Sequence, residues 1–181
     1  MRVLVAVASR HGGTQEIGSV IADALREAGH DVDEREPADV ALIDPYGAVV
    51  LGSAVYNGRW LPDARELAQR AATPLSRRPV WLFSSGLATL PASASNSPIE
   101  MRDLTERLAA RGHRKFAGRL DRSVLSFAER TIIAAARGRD GDYRDLDAVR
   151  AWADEIAAEL GPVLGQPETG IGTLGRDGGH I

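Results

Sequence analysis

The residues best suited to chemistry fall at three points along the chain, and none is a cysteine. The first is the run Ser9-Arg10-His11-Gly12-Gly13-Thr14, between an apolar stretch and an amphipathic one. A strand that ends here and feeds a helix leaves the first helical N–H groups unpaired and partly positive, which attracts anions. Gly12 and Gly13 let the backbone approach a phosphate closely. Ser9 and Thr14 add hydroxyl donors, and Arg10 and His11 add charge or a hydrogen bond. The same run also reads as a tight strand-to-helix turn with Thr14 as an ordinary N-cap. The second point is Ser53-Ala54-Val55-Tyr56-Asn57-Gly58, and the third is Ser84-Ser85-Gly86-Leu87; each follows an apolar run.

Several chemistries are excluded. Without cysteine there are no disulfides, thiolate metal sites or thiol reactions, so redox work needs a bound cofactor. No His/Asp/Glu set has metal-ligand spacing. Neither the nucleoside-triphosphate loop pattern nor the dinucleotide glycine pattern is present, and no nucleophile elbow supports hydrolase chemistry. A phosphorylated receiver domain needs carboxylates where this chain has Ala8-Ser9 and Gly52-Ser53. The net charge of −3 and the absence of a basic run argue against a nucleic-acid partner. No run approaches the about 18 apolar residues of a membrane span. The chain opens directly on a strand, so we expect no signal peptide and a cytoplasmic protein.

The elements that must position these residues follow from periodicity. Val3 to Ala8 is a continuous apolar run, as in a strand buried on both faces. From Thr14 to Ala28, Ile17, Val20, Ile21, Ala24, Leu25 and Ala28 form one helical stripe, stopped by Gly29. Asp31 to Glu36 reads as a charged edge strand. Buried-type strands are expected at Ala48–Gly52 and Val80–Phe83, with a helix over Leu61–Ala72 between them. Ser97-Pro98-Ile99-Glu100 reads as a capped helix start, and that helix is expected to run to Arg111. A last strand is expected over Lys115–Leu120, then helices over Val124–Arg137 and Leu146–Leu160. The Val124–Arg137 stretch is flanked by Arg122 and Arg139 and contains Arg130. It reads either as a helix packed on its own domain or as one lying on a membrane surface or partner. We expect one domain over 1–160 and a flexible Gly/Pro-rich tail over 161–181.

Alternating strands and helices imply a doubly wound five-stranded parallel sheet, order 2-1-3-4-5, with helices on both faces. Ligands in such sheets sit beyond the carboxyl ends of the strands at the topological switch point, which gathers the three points above.

Taken together, the motifs resemble the flavodoxin family, and within it the menaquinone-dependent protoporphyrinogen oxidase branch. The first loop is similar to that branch's hydroxyl-Arg-x-Gly-x-Thr pattern followed by Glu16-Ile17. Gly52 to Trp60 resembles its second loop, Phe116-Ala117-Gly118-Arg119-Leu120 its last strand, and Gly141-Asp142-Tyr143-Arg144-Asp145 its closing segment. The likeness spans roughly residues 1–160. His11 departs from the family, standing where flavodoxins usually carry Thr or Ser and the oxidase branch an acid. The segment from Arg119 to Asp140 is poorer in aromatics than the branch's insertion.

This flavodoxin-like resemblance implies noncovalent FMN, with phosphate contacts from Ser9, Arg10, His11, Gly12, Gly13 and Thr14. It implies ring contacts from Ser53, Ala54, Val55, Tyr56, Asn57 and Gly58, and from Ser84, Ser85, Gly86 and Leu87. Tyr56 and Trp60 are candidate ring neighbours by stacking, although Trp60 also reads as a staple for the following helix. Trp81 reads as core. His30 and His113 each follow a helix-ending glycine and read as solvated charge partners.

The first functional expectation is an FMN-dependent oxidoreductase, passing electrons from a reduced small molecule to a quinone or another acceptor. No side chain is singled out as its catalytic acid or base. The alternative is a flavodoxin-type electron-transfer protein that serves a partner protein and has no substrate of its own. Arg10, Arg59 and Arg65 near the expected mouth count against the acidic face usual in such carriers. A third reading is a flavin-free interaction module that kept the fold. A homodimer is compatible with any of these.

Overall fold

The computed structural model describes residues 1–56, 58–86, 98–135 and 141–162. Five strands run parallel: β1 (Arg2–Ala8), β2 (Asp31–Arg35), β3 (Ala48–Tyr56), β5 (Val80–Gly86) and β6 (Gly112–Ala117). They lie in the order β2-β1-β3-β5-β6, which is the expected doubly wound arrangement. A short strand β4 (Arg59–Trp60) folds back antiparallel on the end of β3, pairing Val55 with Trp60 and Tyr56 with Arg59.

Strand alternation sends side chains to two cores. On one face Val3, Val5, Val7, Ala48, Val50, Trp81 and Phe83 pack under α1 (Gly13–Glu27) and α6 (Leu146–Leu160). On the other, Leu4, Ala6, Val49, Leu51 and Leu82 pack under α2 (Pro62–Arg70), α3 (Ala72–Ser76) and α4 (Pro98–Arg107). β1 from Val3 on and β3 as far as Gly52 are apolar because both of their faces are covered. The charged β2 lies at one edge, where its acids reach solvent.

The structure corrects several expected boundaries. Leu61–Ala72 is not one helix: it breaks at Ala71 (φ −108°, ψ 19°) into α2 and α3. β3 and β5 run on through Tyr56 and Gly86, so Ser53 to Tyr56 and Ser84 to Gly86 are strand rather than loop. β6 begins at Gly112 and ends at Ala117; Arg119–Leu120 leaves the sheet as β7 and pairs with β8 (Gly141–Asp142) in a separate ribbon. The expected helix at Val124 begins instead as a 3₁₀ turn over Arg122–Val124, and α5 covers Phe127–Ala135. Ser97, Arg137, Arg139 and residues 163–181 lie outside the described residues.

α4 stops at Arg107, not Arg111, because Ala109 adopts a left-handed conformation (φ 48°). Ala110 N–H then donates to Thr105 O at 2.9 Å and Ala109 N–H to Glu106 O at 3.1 Å, closing a Schellman turn. α1 ends in the same way at Gly29 (φ 90°). An L side chain in this region costs about 1–2 kcal/mol. Ala109→Gly is therefore expected to stabilise the fold by about 1 kcal/mol, seen as a thermal midpoint raised by roughly 2–4 °C.

Candidate functional site

β1 ends at Ala8, and the chain turns into α1 through Ser9 to Gly12. The N-cap of α1 is Gly12, in the left-handed region at φ 79°, and glycine has no side chain with which to cap the helix. Thr14 is thus one residue inside the helix and buried, not the N-cap. The first backbone bond of the helix runs from Glu16 N–H to Gly12 O at 3.0 Å. The N–H groups of Gly13, Thr14 and Gln15 precede it, so no carbonyl of the helix serves them. Among the described residues nothing lies within 4 Å of where a Cβ on Gly12 would be. An uncapped, glycine-led helix start with open space beside it suits an anion.

The second point packs against the first. Arg10 lies over the Tyr56 ring, its Cζ 4.7 Å from the ring centroid, and the His11 ring meets Tyr56 edge-on at 6.4 Å. Tyr56 therefore joins the end of β3 to the β1–α1 loop. Gly58 makes the turn back to β4 at φ 73°; Asn57 lies outside the described residues. Ser53 is fully buried: its Oγ accepts from Leu61 N–H at 2.9 Å and donates to Ala54 O at 2.8 Å. Its hydroxyl holds the residue from which α2 starts. Ala54 pairs with Ser85 across the sheet, and Val55 Cβ lies 3.7 Å from where Gly86 would carry a Cβ.

The third point carries a polar chain that runs from the buried Trp60 and Ser84 to the half-buried His113. Trp60 Nε1–H donates to Ser84 Oγ at 2.8 Å, and Ser84 Oγ lies 2.8 Å from His113 Nε2. Trp60 is only a donor, so Ser84 Oγ accepts from it; the direction of the Ser84–His113 bond follows the tautomer of the imidazole. This corrects the reading of His113 as a solvated charge partner: burial, then the nearby Lys115, push it down to about 4. His30 is corrected likewise; it is buried, neither ring nitrogen has a partner among the described residues, and burial lowers its pKa. Trp60 is buried in the core as well as bonded to Ser84. Trp81 is core, as expected, with Arg111 over its ring at 5.3 Å. Ser85 is buried at the end of β5, and Gly118 N–H donates to Gly86 O at 2.6 Å. Leu87 lies outside the described residues.

The state of His113 sets a pH dependence. Its folded pKa of about 4 lies below the reference 6.5, so unfolding takes up a proton between these values. The stability linked to neutral His113 is complete above pH 6.5 and is lost as pH falls toward 4. Between pH 7 and pH 5, at about one ionic strength, the wild type is expected to lose more thermal stability than His113→Gln. Equal losses in the two proteins would refute this assignment.

Sequence reasoning missed a group on the other side of the helix start. Arg144, its side chain 4% exposed, donates from Nη1 to Gly13 O at 3.1 Å and to Glu16 Oε2 at 2.7 Å. From Nη2 and Nε it also grips Asp142, at 2.6 and 2.8 Å. Asp142 is held at about 2, chiefly by this contact, and Arg144 is raised well above its ordinary value. Arg119 Nη1 donates to the other oxygen of Glu16 at 3.1 Å. The closing-segment motif was visible, but nothing local shows that Arg144 reaches a glycine 131 positions earlier. Elsewhere Arg65 is offset by Glu100 at 3.8 Å, while Arg59 is exposed on the hairpin. Among the described residues no group of three or more His, Asp or Glu could hold a metal, and no helix is long and apolar enough to cross a membrane.

A β2-β1-β3-β5-β6 sheet with an open helix start at the β1/β3 switch point defines a flavodoxin-fold domain. Residues 4–147 match the model of the flavodoxin domain family, and the chain belongs to that family. A comparison with curated proteins finds no match. Among solved structures it is similar to a serine-for-cysteine variant of flavodoxin from Pseudomonas aeruginosa (16% identity, TM-score 0.62, 88% of this chain and 99% of that one). A flavodoxin from Streptococcus pneumoniae TIGR4 is similar at 18% identity and TM-score 0.61, over 88% and 99%. The rubredoxin oxygen:oxidoreductase of Desulfovibrio gigas shares 16% identity at TM-score 0.60, over 88% of this chain and 36% of that one. At these identities the likeness is one of fold.

Proposed function

We propose that the chain is an FMN-binding electron-transfer protein of the flavodoxin type. The observation that carries this reading is the uncapped start of α1 at Gly12, open and at the switch point beside the ends of β3 and β5. The donor set fits a phosphate monoester: N–H groups of the first helical turn, the hydroxyl of Ser9, and the cationic or donor side chains of Arg10 and His11. Thr14 is buried at the same turn and supports its geometry. Ala54, Val55, Tyr56 and Gly58 line one side of the ring site, and Ser85 and Gly86 the other. Ser53 and Ser84 shape it from beneath, through Leu61 and through Trp60 and His113. When bound, FMN supplies one- and two-electron chemistry that this cysteine-free chain otherwise lacks. Pairing of Arg65 with Glu100 lessens the positive charge at the mouth that had counted against a carrier.

An absorption spectrum of the purified protein, before and after FMN addition and desalting, tests this. Retained flavin bands are the expected result. A chain that retains no flavin and gains no thermal stability from it defeats the reading.

A second reading is favoured by one observation. Beyond Arg119, which bonds Glu16 in the first turn of α1, the described residues carry Phe127 at 87% exposure and Val124 at 51%. Such a surface suits an apolar electron donor or acceptor. This supports the oxidase-like reading, the first functional expectation from the sequence, with protoporphyrinogen as reductant and a menaquinone-type quinone as acceptor. Repeated turnover with that pair by FMN-loaded protein is its test; full loading without turnover leaves the carrier reading in place.

A further inference from the structure

We propose that Arg144 is a positioning residue for the phosphate loop, and that with Arg119 it cancels the charge of Glu16 so that the helix start selects a phosphorylated flavin. The inference rests on the FMN reading above. Glu16 lies in the first turn of α1, where a carboxylate is favourable to the helix dipole but opposes a phosphate dianion at the same end. Both of its oxygens are taken by guanidinium groups, Oε1 by Arg119 at 3.1 Å and Oε2 by Arg144 at 2.7 Å. Arg144 also bonds the carbonyl of Gly13, the first residue of the helix, and so holds the peptide next to the outward-facing N–H groups. Asp142 fixes the guanidinium by two bonds, and Tyr143 N–H anchors the same segment on Gly118 O at 3.2 Å. Arg119 comes equally close: its Cβ lies 3.6 Å from where a Cβ on Gly13 would be. The β7–β8 ribbon thus braces the loop with a forked, buried cation that a lysine cannot reproduce.

The experiment compares FMN with riboflavin, which has the same ring and no phosphate, by fluorescence titration of the full chain. Wild type is expected to bind FMN much more tightly than riboflavin. Arg144→Met is expected to lower FMN affinity by about tenfold, the equivalent of one charge-assisted hydrogen bond, and to leave riboflavin affinity unchanged. Glu16→Gln added to Arg144→Met is expected to recover part of the FMN affinity, since the uncompensated carboxylate is gone. If Arg144→Met does not fold, Arg144→Lys and Arg119→Met are read instead, each expected to narrow the FMN preference. A variant set that keeps the wild-type preference, or loses both affinities in parallel, overturns the inference alone. A wild type that does not distinguish the two flavins overturns the FMN reading and the inference with it.

Discussion

Gly52→Ala is expected to destabilise the fold by about 3 kcal/mol, the upper end of what a single added methyl costs in a packed core. Gly52 pairs with Phe83 between β3 and β5. A Cβ at position 52 would stand 2.1 Å from two atoms of the Phe83 ring. The ring has nowhere to move: it is fully buried, with Phe116 6.1 Å and Trp152 6.3 Å from its centroid. For a chain of this size the thermal midpoint should fall by roughly 6–12 °C. Phe83→Leu opens the space, so in that background Gly52→Ala should cost less than half as much, a coupling of about 1.5 kcal/mol or more. Additive losses would show that the close approach is not the cause.

The second large effect concerns binding. Gly12→Ala places an L side chain at φ 79°, which costs about 1–2 kcal/mol if the turn is kept. The chain can relieve this strain only by rotating the peptide that aims the first N–H groups. FMN affinity should then fall by about 10- to 100-fold, the loss of one or two charge-assisted hydrogen bonds. Gly13→Ala is the matched control. Its Cβ would meet Arg119 Cβ at an ordinary 3.6 Å and it carries no positive φ. Stability of the Gly13 variant should stay within about 0.5 kcal/mol of wild type. Isothermal titration with FMN, alongside thermal melts, separates the two variants. An FMN affinity of the Gly12 variant equal to that of the wild type would mean that the left-handed turn does not shape the site.

Much of the architecture is legible in the residues themselves. The valine-rich run Val3–Val7 announces a strand covered on both faces, and Val3, Val5 and Val7 do pack on one core while Leu4 and Ala6 pack on the other. Leu146–Leu160 shows its single apolar face, and Val149, Trp152 and Ile156 fill the space beside α1. The switch point follows from the alternation of these elements, because a right-handed crossover allows few orders. It locates Ser9–Thr14 before any contact is known. The helix breaks at Ala71 and Ala109 were not legible, since neither position carries glycine or proline to signal a stop.

By itself, then, the sequence determined the sheet, its order, its two cores and the helix start that faces the switch point. Each of these depends on local periodicity and on glycine placement, which a chain carries in its own spacing. Tertiary structure alone decided the rest of the site. It placed Ser53 and Ser84 within strands, folded Tyr56 against Arg10, and set the half-buried His113 on Ser84. It also brought Arg144 to Gly13 and Glu16. These partners lie tens of residues apart or more. Hydrogen bonds between them depend on strand register and on where the β7–β8 ribbon closes, and periodicity records neither.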